Sequence, residues 1–117
     1  MKKLLFVFVC MTILCACQKG NSEAYNQKVE SGLWKVGDAK FHEAYVDFNY
    51  AEQQSHSDEQ AATYKKQVNY IIEAKQASED GEQREAVRLL KKSIGVKNGS
   101  TLIAERAREM KEQLLND

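Results

Sequence analysis

The sequence predicts an all-α protein, and three observations carry that prediction. The chain contains no proline and few runs of β-branched residues, so little in it interrupts or disfavours helix. From Glu23 onward, apolar residues recur at three- and four-residue intervals, the spacing of one face of an amphipathic helix. The breaks in that spacing are short clusters of glycine and small polar residues, which allow tight reversals but no long excursions.

Taken in order, the first helical stripe is Tyr25, Val29, Gly32, Leu33 and Val36. Gly37 is expected to cap its C-terminus, and Asp38 to open the next helix as its N-cap. The second stripe runs through Phe41, Ala44, Tyr45, Phe48 and Ala51, and so short a turn folds the two helices into an antiparallel hairpin. Ser57 and Gln60 have the spacing of a capping box for a third helix reaching about Ser78. That helix has two apolar sides, one of Ala61, Tyr64, Val68, Ile71 and Ile72 and the other of Tyr70, Ala74 and Ala77. Such a helix is expected to lie between neighbours. Glu79, Asp80 and Gly81 form the next turn. Ala86, Val87, Leu90 and Ile94 mark helix four, residues 95–99 a loop, and Ser100 an N-cap for a fifth helix with a stripe of Ile103, Ala107, Met110 and Leu114.

Residues 1–16 stand apart from this body. Lys2 and Lys3 precede an apolar run of 13 residues, Leu4 to Ala16. A bilayer-spanning helix needs roughly 20 residues, so the run reads as an export signal. It ends in Leu14, Cys15, Ala16 and Cys17, which resembles the lipobox of bacterial lipoproteins: an aliphatic residue, a tolerant position, a small residue and the modified cysteine. Leu14, Ala16 and Cys17 match, and Cys15 at the tolerant position is less usual. The resemblance implies cleavage before Cys17, diacylglycerol on its thiol, and a protein held on the extracytoplasmic face of a cell membrane. Each buried methylene contributes about 0.8 kcal/mol, so two or three acyl chains hold where one would not. Residues 17–22 are then the lipidated cysteine and a polar tether, and residues 23–117 the helical domain. Gln18 is not the aspartate that retains some lipoproteins on an inner membrane. The resemblance therefore implies the outer membrane in a two-membrane host, or the outer face of the cytoplasmic membrane in a single-membrane host.

Within the body, Gly32, Ala44, Phe48 and Ala51 resemble the small and large positions of a tetratricopeptide repeat, and Ala74, Ala86, Leu90 and Ser93 match more loosely. The two copies are offset by 42 residues, against about 34 in that family, and its tryptophan and closing proline are missing. The segment from Lys97 to Met110 resembles the closing helix of helical-repeat regions in surface lipoproteins of Gram-positive bacteria. Together these imply a tetratricopeptide-like stack of about five helices, two hairpins and a C-terminal capping helix. They imply an architecture rather than an activity.

Composition narrows the function. Loss of residues 1–16 removes Lys2 and Lys3 and no acid, so 15 basic and 17 acidic side chains remain, a net charge of −2. There is no basic excess to hold nucleic acid or anionic lipid. No glycine-rich phosphate loop, Gly-x-Ser-x-Gly elbow or His-Glu-x-x-His motif is present. His42 with Glu43 or Asp47 is the best metal combination on offer, and exposed polar residues on a helix face explain it equally well; His56 is expected in a turn. With Cys17 acylated, no thiolate remains to complete a zinc site. The expectation is a protein with no enzymatic activity, metal or cofactor that binds a protein or peptide; a structural accessory subunit of an envelope complex is the alternative. Trp34 lies opposite the first apolar stripe, and Tyr50 lies off the second, which makes both candidate partner contacts. Packing of Trp34 under the tether or against helix three is the competing placement.

Overall fold

A computed structural model describes residues 23–55 and 58–116. The leader, Cys17 and the tether lie outside the described residues, as do His56 and Ser57. Five helices follow in order: α1 (Glu23–Gly37), α2 (Phe41–Gln54), α3 (Gln60–Glu79), α4 (Gln83–Ile94) and α5 (Thr101–Asn116). There is no strand among the described residues. α1 pairs with α2 and α3 with α4, α2 packs on α3, and α5 closes the stack against α4 while also touching α1 and α3.

The two hairpins are built by the same turn, repeated 42 residues on. After α1, the Lys40 N–H donates to the Lys35 carbonyl (2.8 Å) and the Ala39 N–H to Val36 (3.0 Å). After α3, Glu82 donates to Ala77 (2.8 Å) and Gly81 to Ser78 (3.1 Å). Both are Schellman motifs, which satisfy the last helical carbonyls and require one residue in the left-handed region. Gly81 takes that place at φ 79°, but in the first copy it is Ala39, at φ 60°. This corrects two sequence expectations. Gly37 is the last residue of the helix rather than its cap, and Asp38 sits within the turn, leaving Lys40 at the N-cap of α2 without a side-chain bond.

A second equivalence ties each first helix to the start of the next. Tyr25, almost fully buried, accepts a hydrogen bond at its hydroxyl from the Ala61 N–H in the first turn of α3 (3.2 Å). Its counterpart 42 residues on is Gln67, whose Oε1 accepts from the Ser100 N–H (2.8 Å) just before α5. The Gln67 Nε2 donates to the carbonyls of Ser93 (3.2 Å) and Ser100 (3.1 Å), and the Ser93 hydroxyl donates back to the Gln67 carbonyl (2.9 Å). Both amide ends of a buried glutamine are thereby satisfied. The N-caps differ in detail. Ser100 Oγ accepts from the Ile103 N–H (3.4 Å), as expected, whereas α3 starts at Gln60, and the capping box expected with Ser57 lies outside the described residues. The Gln60 N–H donates to Asp58 Oδ1 (2.9 Å).

The core follows the predicted stripes: Tyr25, Val29 and Val36 from α1, Phe41, Ala44, Phe48 and Ala51 from α2, Val68, Ile71 and Ala74 from α3, Leu90 from α4, and Ile103 and Ala107 from α5. At its centre, Phe48 packs edge to face on Tyr64, with ring centroids 5.6 Å apart. Its other side lies against Gly32, where a Cβ would come within 2.4 Å of the ring. Nothing lies within 4 Å of a Cβ built at Gly37.

The same substitution at these two glycines therefore has opposite signs. Gly37→Ala is expected to stabilise the domain by about 0.5–1 kcal/mol through helix propensity. Gly32→Ala is expected to destabilise it by about 1–3 kcal/mol because the Phe48 ring has to move. Urea midpoints of the two variants measure both. Gln67→Met, which keeps volume but removes the amide, is expected to cost about 2–4 kcal/mol. Amide hydrogen exchange at Ser100 should accelerate in that variant more than exchange in α2.

Candidate interaction site

Trp34 lies in the last turn of α1, on the side opposite the buried Tyr25, Val29 and Val36, and is 76% exposed. The periodicity that puts Gly32 and Val36 inward turns residue 34 out. Beside it, Leu33, Gly37 and Leu102 of α5 line an open hollow of about 350 Å³, with Asp38 at its margin. One turn after Leu102, Arg106 ties α5 to the end of α1: its Nη2 donates to the Gly37 carbonyl (2.8 Å) while its Nη1 donates to Glu109 (2.7 Å). Leu102 beside Leu33 and Arg106 beside Gly37 set α5 parallel to α1 at this junction. The exposed indole thus borders a seat lined by Leu33, Gly37 and Leu102.

Tyr50 is 44% exposed and does not line that hollow. The Lys28 ammonium lies 5.2 Å from its ring centroid, a cation–π contact that ties it back to α1. Val46, one turn earlier on α2, is also exposed, so Val46 and Tyr50 form a second and separate apolar ridge that sequence reasoning recognised only at Tyr50.

Between α1 and α2 sits a buried carboxylate that the sequence does not announce. Asp47 is 3% exposed, not the solvated helix-face residue it resembles in the sequence. Ser31 Oγ donates to its Oδ2 (2.6 Å), Lys35 Nζ lies 2.7 Å from the same oxygen, and Lys28 Nζ lies 3.7 Å from Oδ1. Burial pushes its pKa up, but the bonds from Lys35 and Ser31 and the charges of Lys35 and Lys28 outweigh this and hold it below the ordinary value of 3.8. This arrangement clamps two helices and keeps the Asp47 oxygens occupied. His42 and Glu43 are exposed on the same helix, and no group of three or more potential metal ligands occurs among the described residues.

No family model matches the chain, and neither a curated protein nor a solved structure matches it.

A carboxylate whose folded pKa is depressed lends stability that is present above its unfolded pKa and is lost as pH falls through the folded value. The difference in melting temperature between the wild type and Asp47→Asn is thus expected to be largest at neutral pH. It should shrink as pH drops below about 4. A difference that stays constant across that range would mean that the aspartate charge contributes nothing to the clamp.

Proposed function

We propose that the protein is a lipid-anchored, non-catalytic module that binds a protein or peptide on the extracytoplasmic face of a cell membrane. The observation that carries this reading is Trp34. Trp34 is 76% exposed and lines an open hollow with Leu33 and Leu102, so a large apolar side chain is left on the surface beside an apolar seat. Rigid, exposed indoles beside apolar seats are typical binding anchors. The tetratricopeptide-like arrangement of helix pairs supports the same reading, because such modules commonly present their surfaces to peptides. Anchoring rests on the lipobox-like Leu14 to Cys17 alone.

The alternative, an accessory subunit of an envelope assembly, is favoured by a different place. Leu115 is 64% exposed at the end of α5 and lines an apolar hollow with Val87 and Leu114. An assembly subunit would bury that end in a neighbour and associate in solution when alone.

Trp34→Ala is expected to leave the melting temperature nearly unchanged, within about 0.5 kcal/mol of stability, because the side chain makes little buried contact. A photo-crosslinker placed at residue 34 in living cells should capture one discrete partner that the same probe at exposed Glu112 does not. Unfolding of the Trp34→Ala variant would sink the anchor role. Palmitate should label the wild type and not Cys17→Ala; equal labelling of both removes the membrane address.

A further inference from the structure

We propose that a basic hollow between α3 and α4 seats the phosphate of an anionic phospholipid headgroup and thereby orients the domain on the membrane; the membrane part of this proposal rests on the lipid-anchor reading above. The hollow has a volume of about 440 Å³ and is lined by Lys66, Lys92 and Lys97, with the hydroxyl-bearing Thr63 and Tyr70 between them. None of the lining residues is acidic. None of the three lysines has a carboxylate within 4.0 Å among the described residues, which is also true of Lys40, Lys75, Lys91 and Lys111; what distinguishes the three is that they share one hollow with no acidic lining. Lys92 also stands over the Tyr70 ring, 5.9 Å from its centroid, which brings its ammonium in from α4 towards α3. A hollow of similar size between α2 and α3 shows the contrast, since there Lys40 and Lys75 are balanced by Glu43 and Glu79. Three lysines line one hollow that has no acidic residue in its wall, and Glu85, whose carboxylate feels the charge of Lys92, lies outside it, which leaves the hollow an electrostatic seat for a phosphate.

The position of the hollow selects lipid as the source of that phosphate. Tyr25, in the first turn of α1, is bonded to Ala61 in the first turn of α3, so the two helices start side by side. Thr63 and Lys66 follow within two turns, which puts the hollow in the half of the domain where the chain enters from Cys17. The stretch from Cys17 to Glu23 spans at most about 21 Å, so acyl chains on Cys17 hold that half close to the headgroups. At the far end, the α3–α4 turn carries Glu79, Asp80 and Glu82, which an anionic surface repels. The net charge of −2 counts only a sum, and the near half also carries Glu23, Glu52, Asp58 and Glu59, so the attraction is local to the hollow rather than a property of that whole end.

The test uses the full chain reconstituted in vesicles of phosphatidylcholine, or of equimolar phosphatidylcholine and phosphatidylglycerol, followed by mild acylation of lysines read by mass spectrometry. Phosphatidylglycerol is expected to slow labelling of Lys66, Lys92 and Lys97 by about fivefold while leaving Lys40 and Lys111 unchanged. In a variant carrying both Lys66→Gln and Lys97→Gln, with helix content verified by circular dichroism, the protection of Lys92 should disappear. Equal rates in the two vesicle types, or equal slowing of Lys40 and Lys111, would overturn the proposal. Protection by inorganic phosphate on pure phosphatidylcholine as strong as that by phosphatidylglycerol would also overturn it, by making the ligand a free phosphate. The mass of the N-terminal peptide reports acylation of Cys17 separately. Protected lysines on an unacylated chain would sink the anchor and leave the headgroup seat, and exposed lysines on an acylated chain would do the reverse.

Discussion

The contact between the Phe48 ring and the bare backbone of Gly32 sets the geometry of the first hairpin, and the rest of the domain depends on it. With no Cβ in the way, α1 and α2 approach closely enough to bury a phenylalanine between them. That approach fixes the register of the neighbouring pair as well. Ser31 and Asp47, each one residue earlier, are brought to 2.6 Å, and Lys35 closes on the same carboxylate from the next turn. Once Gly32 and Val36 face inward, Trp34 between them has nowhere to go but out. Core packing, a buried charge clamp and an exposed indole are thus three consequences of one close approach.

The second hairpin repeats the turn but not the clamp. Ala74 and Leu90 stand where Gly32 and Phe48 stand in the first, and Glu73 and Leu89 replace the Ser31 and Asp47 pair. Its polar contact has moved to Gln67, which joins the end of α4 to the start of α5. Tyr25 and Gln67 do the same work at equivalent positions with different chemistry: each gives a backbone N–H at the start of the next first helix a buried acceptor. Such an N–H has no partner inside its own helix, so an acceptor supplied by the preceding repeat couples the stability of neighbouring repeats. α5 occupies the place of a third first helix, and its contact with both α1 and α4 draws the two hairpins into one unit.

The surface carries two kinds of feature at different places. Trp34 and its seat lie at the junction of α1 and α5, where Arg106 fixes the end of α1. The three lysines gather in the opposite half, between α3 and α4. A domain tethered through its N-terminus and held by its basic hollow would have the Trp34 corner and the acidic α3–α4 turn away from the membrane. Membrane contact and partner contact would then use separate surfaces.

Much of the fold was legible because helices announce themselves locally. The 3.6-residue period of Tyr25, Val29 and Val36, or of Ile103 and Ala107, depends only on which face is apolar, and glycine between two stripes marks a turn whatever lies beyond it. Trp34 was placed outside its stripe by the same rule. Asp47 and Gln67 were not legible, because a polar residue on an inward position looks like any other polar residue until its partners arrive. Those partners lie 16 residues away in Ser31 and 33 residues away in Ser100. Nor was the left-handed residue at the first turn, since Gly37 and Ala39 compete for it and only the hydrogen bonds of the finished turn decide between them. Helix positions, the 42-residue offset and the lipobox-like leader belong to the sequence by itself. The burial of Asp47, the Gln67 staple and the gathering of Lys66, Lys92 and Lys97 belong to the tertiary structure, because each depends on groups that the chain keeps far apart and that only packing brings within hydrogen-bond or Coulombic range.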